Sequence, residues 1–326
     1  MINHDALPDN PLADEPMHPS RSHIWMPFGD IVLQVENVQF RVNRDILAHQ
    51  STVFAHMFSS PQPEPIETVE GCQLVHLSGD LADDWGHLLD LLYNPFSAED
   101  HLSVPALAAM LFLSRKYEME NIRAHAFSRI HHDYPKTLAA YDAIEENVEI
   151  LLTRIKYDSG IDVDVLNLVE EYGIKTSLPL VAFLCLRGNT VLCLKDRVVR
   201  SDGSHVVLSY SQKRALPVAA ECIAREQRLR FHWLEPDDDS VLPSPTCGTH
   251  DCGEDRSKIH LVASTPISGR RYSLLSTYHE LSRAEHTGVP CYEAAEEKWN
   301  EGRKAAWERL PSFFDLPKWG ALRDDE

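Results

Sequence analysis

The stretch that decides the fold runs from Phe28 to Phe58, FGDIVLQVENVQFRVNRDILAHQSTVFAHMF. Ile31-Val32-Leu33-Gln34-Val35 reads as a strand, and Val38, Phe40 and Val42 alternate with Gln39 and Arg41 in a second. Glu36-Asn37 leaves two residues for the turn, and Asn tolerates the left-handed backbone that such a hairpin needs. The pattern then becomes helical. Ile46 and Leu47 fall on a first short helix, and Ser51 is placed to cap a second, whose Val53, Phe54, Met57 and Phe58 form an apolar stripe.

On the N-terminal side, residues 1–27 carry five prolines and few large apolar side chains before Ile24 and Trp25. A disordered arm is expected there, with Trp25, just ahead of the first strand, packing on the domain or on a partner subunit. The opening residues also lack the positive start and apolar core of a secretory signal. On the other side, residues 59–70 hold three prolines and three glutamates. That segment cannot continue a helix or join a central strand, and it reads as an exposed acidic insertion loop.

Gln73 to Leu77 alternates as a third strand. From Asp80 to Tyr93 a helix is expected, with Leu81, Trp85, Leu88, Leu89 and Leu92 on its apolar side and Asp80, Asp83 and Asp84 at its positive end. Asn94-Pro95 stops it. Ser103 can cap the next helix, which carries Leu107, Met110, Leu111 and Tyr117, and a further helix is expected from Glu118 to Ile130.

This order resembles a BTB/POZ domain. Asp30 before the apolar strand, Leu47, and the run Ser51, Phe54, Met57, Phe58 match that family's opening, and LFLSRKYEMENIRAHAFSRI (111–130) is similar to its closing helical pair. Asn43 stands where the family usually has His. The resemblance covers about residues 28–133, and its wording looks most like the BTB proteins expanded in mushroom-forming fungi. It implies an α+β fold, a small sheet flanked by a helical cluster, acting as a protein-interaction module with no chemistry of its own. It also implies homodimerisation through the first helix and its surroundings. Ile46, Leu47, Val53, Phe54 and Phe58 are the candidate interface; either a second subunit or the domain's own core covers them. A cullin is the further partner implied. Phe96 and Glu99, in the loop Asn94 to His101, are its candidate contacts, although the family's spacing is one residue shorter.

Residues 134–326 read as an all-α C-terminal domain. Leu138, Tyr141, Ile144, Val148, Leu151 and Ile155 fit one long helix or two shorter ones. Asp162 or Asp164 can cap a helix that ends at Gly173. Leu178 to Leu186 is apolar all round, with Gly188 as its stop, and Ser211 to Phe231 is expected to bury Leu216, Ala220, Ile223 and Leu229. Tyr292, Trp299, Trp307 and Leu310 share a helix face, and with Phe313, Phe314, Leu316 and Trp319 they read as a tail closing the domain or lining a peptide groove.

Composition narrows the function. The 31 Lys and Arg against 50 Asp and Glu give a net charge of −19, which argues against a direct nucleic-acid binder; the one small basic cluster, Arg225, Arg228 and Arg230, reads as a solvated helix face. Seven cysteines, an odd number, point to a reducing, intracellular compartment, with Cys72, Cys185, Cys193 and Cys222 expected as buried thiols. Cys247-Gly-Thr-His250-Asp-Cys252 brings three soft ligands together, but structural zinc needs a fourth from a distance, such as His260 or Cys291. A transcriptional regulator with a zinc-stabilised C-terminal half is the reading that would use them. No phosphate loop, nucleophile elbow or metalloprotease motif is present, so no enzyme is expected.

Overall fold

In a computed structural model the protein is described over residues 18–61, 65–94, 101–146, 153–195, 197–235, 237–248, 256–257, 260, 274–278 and 289–325. It forms two compact units, Met1–Glu99 with Pro105–Arg123, and Asp100–Val104 with Ala124–Glu326.

The first unit is built on a sheet of β1 (Ser20–Trp25), β2 (Ile31–Val35), β3 (Val38–Val42), β4 (Thr68–Val69) and β5 (Cys72–His76), in the order β1-β3-β2-β5-β4. β2 and β3 form the expected hairpin, from Ile31 opposite Val42 to Val35 opposite Val38. β5 runs parallel to β2, and β1 runs parallel to β3. The central position of β2 explains its mostly apolar sequence, since Ile31, Val32, Leu33 and Val35 are fully buried and only Gln34 interrupts them.

Three expectations change here. The arm expected as disordered over 1–27 holds strand β1 at Ser20–Trp25. The open edge of β3 supplies the backbone partners, and Ile24 (1% exposed) and Trp25, packed against Val32, Cys72 and Leu74, anchor it. In the hairpin the left-handed residue is Glu36, at φ 50°, rather than Asn37. Its carboxylate accepts the amide of Ala82 at 2.9 Å, which ties the turn to the start of a helix. Finally, Leu81 is exposed, because that helix starts one residue later and leaves Leu81 outside the apolar stripe.

The Pro-rich loop rejoins the sheet only at its edge, as β4, and turns into β5 through Glu70 and Gly71 in left-handed conformations. Helices α1 (Arg44–Gln50), α2 (Thr52–Ser59), α3 (Ala82–Tyr93), α4 (Val104–Lys116) and α5 (Glu120–Asp133) follow the predicted order. Glu118, at φ 50°, makes the turn between α4 and α5.

The second unit contains α6 (Leu138–Glu146), α7 (Ile161–Glu171), α8 (Leu178–Lys195), α9 (Tyr210–Arg230) and α10 (Val289–Arg309). A two-stranded ribbon, β6 (Val198–Val199) and β7 (His205–Val206), adds strand to a region expected to be wholly helical. Gly160 lets the ribbon approach, since a Cβ there would sit 2.9 Å from Val198. Gly188 lies inside α8 and does not stop it. Ser209 and Gln212 form a capping box at the start of α9. Its inward face is Gln212, Leu216, Ala219, Ile223 and Glu226, so Leu229 and Cys222 are exposed rather than buried. Glu226 is tolerated there because Arg230 and Arg309 both donate to it, at 2.7 and 2.6 Å. Trp299 stacks on Phe231 with centroids 3.7 Å apart, and Trp307 lies between Tyr141 and Trp319. The aromatic tail closes this unit.

Candidate interaction surface

The surface around α1 and α2 is positioned by polar contacts that fix each helix start. Asp30, the residue before β2, accepts the amide of Arg44 at 2.7 Å and so serves the N-terminus of α1. Asn43 donates from its side chain to the carbonyl of Phe28 at 3.1 Å, accepts the Tyr93 hydroxyl at 3.3 Å, and offers its own amide to that hydroxyl at 2.8 Å. Ser51 caps α2 by accepting the amide of Phe54 at 3.0 Å, and its hydroxyl donates to the carbonyl of Tyr117 at 2.5 Å. One serine therefore orders α2 and links it to the end of α4.

These contacts divide the predicted stripe in two. Leu47 and Phe54 are fully buried in the unit's own core. Phe54 stacks on Tyr117 at 4.9 Å and meets the edge of Trp85 at 5.8 Å. Ile46, Val53 and Phe58 are half-buried, as is Met57. Phe58 keeps one face against Arg44, whose guanidinium lies 5.1 Å from the ring. The half-buried apolar set is thus Ile46, Val53, Met57 and Phe58, with Val53 and Met57 one turn apart on α2 and the Phe58 ring 5.6 Å from that of Phe54.

Beneath the aromatic cluster lies a group that periodicity did not single out. Asp80, expected at the positive end of α3, is 3% exposed. It accepts from the Trp85 indole at 2.9 Å and is bonded closely by the Tyr117 hydroxyl and the Lys116 ammonium. Burial, and then the hydrogen bond to Asp80, push the Tyr117 hydroxyl far above its ordinary range. The place of Asp80 near a helix start gives no sign that Lys116 and Tyr117, distant in sequence, converge on it together with Trp85.

The remaining candidates sit elsewhere. Phe96, Glu99, His250 and Cys252 lie outside the described residues. Cys247 is half-exposed in a turn whose amide bonds the carbonyl of Ser244 at 2.8 Å, and the Ser244 amide points at the buried Cys291 sulfur, 3.3 Å away. His260 pairs with Glu235 at 3.3 Å. Among the described residues no group of three or more His, Cys, Asp or Glu is arranged to hold a metal. Of the basic cluster on α9, Arg230 pairs with Glu226 and Arg228 lies 3.7 Å from Glu221. Among the described residues no helix is long and apolar enough to cross a membrane.

The first unit is thus a small mixed sheet with short helices, with Ile46, Val53, Met57 and Phe58 half-buried on α1 and α2. A family model described as BTB/POZ domain matches residues 22–133. The chain therefore contains a BTB/POZ domain, a protein-protein interaction module and not an enzymatic one, followed by a helical C-terminal region. The match begins inside β1.

Proposed function

We propose that the protein is an intracellular adaptor that pairs with itself through α1 and α2 of an interaction domain over about residues 28–133, the helical region from 134 onward forming a separate domain. The observation that carries this is the half-buried apolar set Ile46, Val53, Met57 and Phe58, which lies beside a core that Leu47 and Phe54 already complete. A second copy would remove that surface from water, at about 25 cal/mol for each Å² of apolar area covered. Light scattering on the purified chain is expected to give twice the monomer mass at micromolar concentration, and Val53→Asp is expected to halve it. A monomer at that concentration refutes pairing.

A cullin is the narrower partner reading. It rests on the sequence of the loop carrying Phe96 and Glu99, and a native lysate from which no cullin copurifies would remove it. The regulator reading requires bound zinc and a steeply salt-dependent affinity for DNA. The intracellular placement rests on the odd number of cysteines, seven in the chain.

A further inference from the structure

A groove of roughly 670 Å³ crosses the second unit. α10 contributes Lys304 and Trp307, the segment just before α6 contributes Lys136, and the turn near the C-terminus contributes Trp319 and Arg323. That last wall is held firmly. Leu322 is buried, and the Trp319 indole donates to the carbonyl of Trp307 at 2.7 Å, with the two rings stacked 5.2 Å apart. Asp324 accepts the amide of Thr176 at 2.8 Å and pairs with His131 at 2.9 Å, while the Asp325 amide donates to the carbonyl of Gly173 at 2.9 Å.

The charges lining the groove run against those of the chain. Lys136 and Lys304 are exposed, and Arg323 is oriented by donating to the carbonyls of Gly320 and Leu322, at 2.9 and 2.6 Å. Against these three cations stand two carboxylates, Glu308 and Asp324, and Asp324 is already committed to Thr176 and His131. A locally positive cleft in a chain of net charge −19 concentrates anionic ligands there, because the acidic remainder of the surface repels them. Trp319 is half-exposed at the same wall, and its ring gives a flat apolar surface of the kind that accepts prolyl and aliphatic side chains.

We propose that this groove docks an extended acidic segment of a partner protein, its carboxylates on Lys136, Lys304 and Arg323 and an apolar or prolyl side chain against Trp319. The proposal rests on the adaptor reading and adds the chemistry of what is carried. It is tested on the full chain by fluorescence anisotropy, using a fluorescein-labelled synthetic peptide that repeats Asp-Glu-Pro-Leu. A peptide with Lys at every acidic position serves as control.

Saturable binding of the acidic peptide alone, weakened by salt, is the expected result. Lys136→Glu combined with Lys304→Glu is expected to weaken it about tenfold or more. Should charge reversal unfold the chain, the Lys136→Ala, Lys304→Ala pair repeats the test at two exposed positions. Absence of binding, equal binding of both peptides, an unchanged affinity in the variants, or full displacement by inorganic phosphate at constant ionic strength would overturn the proposal. Light scattering on the same samples reads pairing separately, so a monomer that binds the peptide refutes the dimer and keeps the groove.

Discussion

Asp80 accepts the indole N–H of Trp85 at 2.9 Å inside the first unit, where Trp85 is fully buried. The Tyr117 hydroxyl and the Lys116 ammonium use the same carboxylate. Asp80→Ala leaves two buried donors and a cation without their acceptor, and a loss of about 3–5 kcal/mol is expected. Urea unfolding reads it as a lowered midpoint. Lys116→Met removes only a partly exposed partner and should cost less. Equal costs would show that the ion pair, and not the buried donors, dominates.

Tyr117 sets an alkaline limit. Its hydroxyl lies above the ordinary value of 10. Below that value both folded and unfolded forms keep the proton, so stability is unaffected. As pH rises past it, the unfolded chain ionises first while the folded chain stays protonated, and stability falls. Unfolding midpoints should decline above about pH 10, less steeply in Tyr117→Phe. Identical slopes in the two proteins would remove the claim.

In the second unit, burial pushes the Asp162 carboxyl up to about 6, against the opposing pull of Arg187 and the Tyr134 hydrogen bond. A carboxyl raised above its ordinary 3.8 is held more tightly by the folded protein as a neutral acid. Its contribution therefore favours folding at low pH and is lost as pH climbs through about 6. Asp162→Asn should gain stability relative to wild type at pH 7, with that advantage shrinking on acidification below about 6. A difference that stays constant with pH would count against it.

Within the α1–α2 stripe, burial separates two outcomes. Leu47→Ala and Phe54→Ala empty fully buried sites and should cost about 3–5 kcal/mol each in thermal or urea unfolding. Ile46→Asp and Val53→Asp fall on half-buried sites and should change the mass measured by light scattering, lowering the unfolding midpoint only by the concentration-dependent part that pairing contributes. The reverse pattern would assign the half-buried residues to the core.

Gly173 occupies a left-handed position at φ 64°, and a Cβ there would lie 2.2 Å from the Asp325 carboxylate. Gly173→Ala is expected to displace the C-terminal turn that carries Trp319 and Asp324. Faster amide exchange over residues 319–325, with the rest of the helical unit protected as before, is the readout. Unchanged exchange would show that the turn is held by Leu322 and Trp319 alone.

How much of this was legible beforehand depends on the range of the interaction. The hairpin Ile31–Val42, the Ser51 cap and the order of α1 to α5 follow from period, turn chemistry and capping, all of which act within a few residues. Those signals determined the fold class and pointed to the α1–α2 stripe. They gave no hint that β1 would pair with β3, because the apolar anchors Ile24 and Trp25 follow a proline-rich stretch. They also could not divide the stripe, since Leu47 and Ile46 look alike until the core fills. The packed structure alone decided that Asp80 is a buried acceptor for Trp85 and Tyr117 and not a helix-end charge. It alone brought Lys136, Lys304 and Trp319 to one groove. Asp80 and Tyr117, like Lys136 and Trp319, are far apart in sequence, and only burial and hydrogen-bond satisfaction across the folded chain select such pairings.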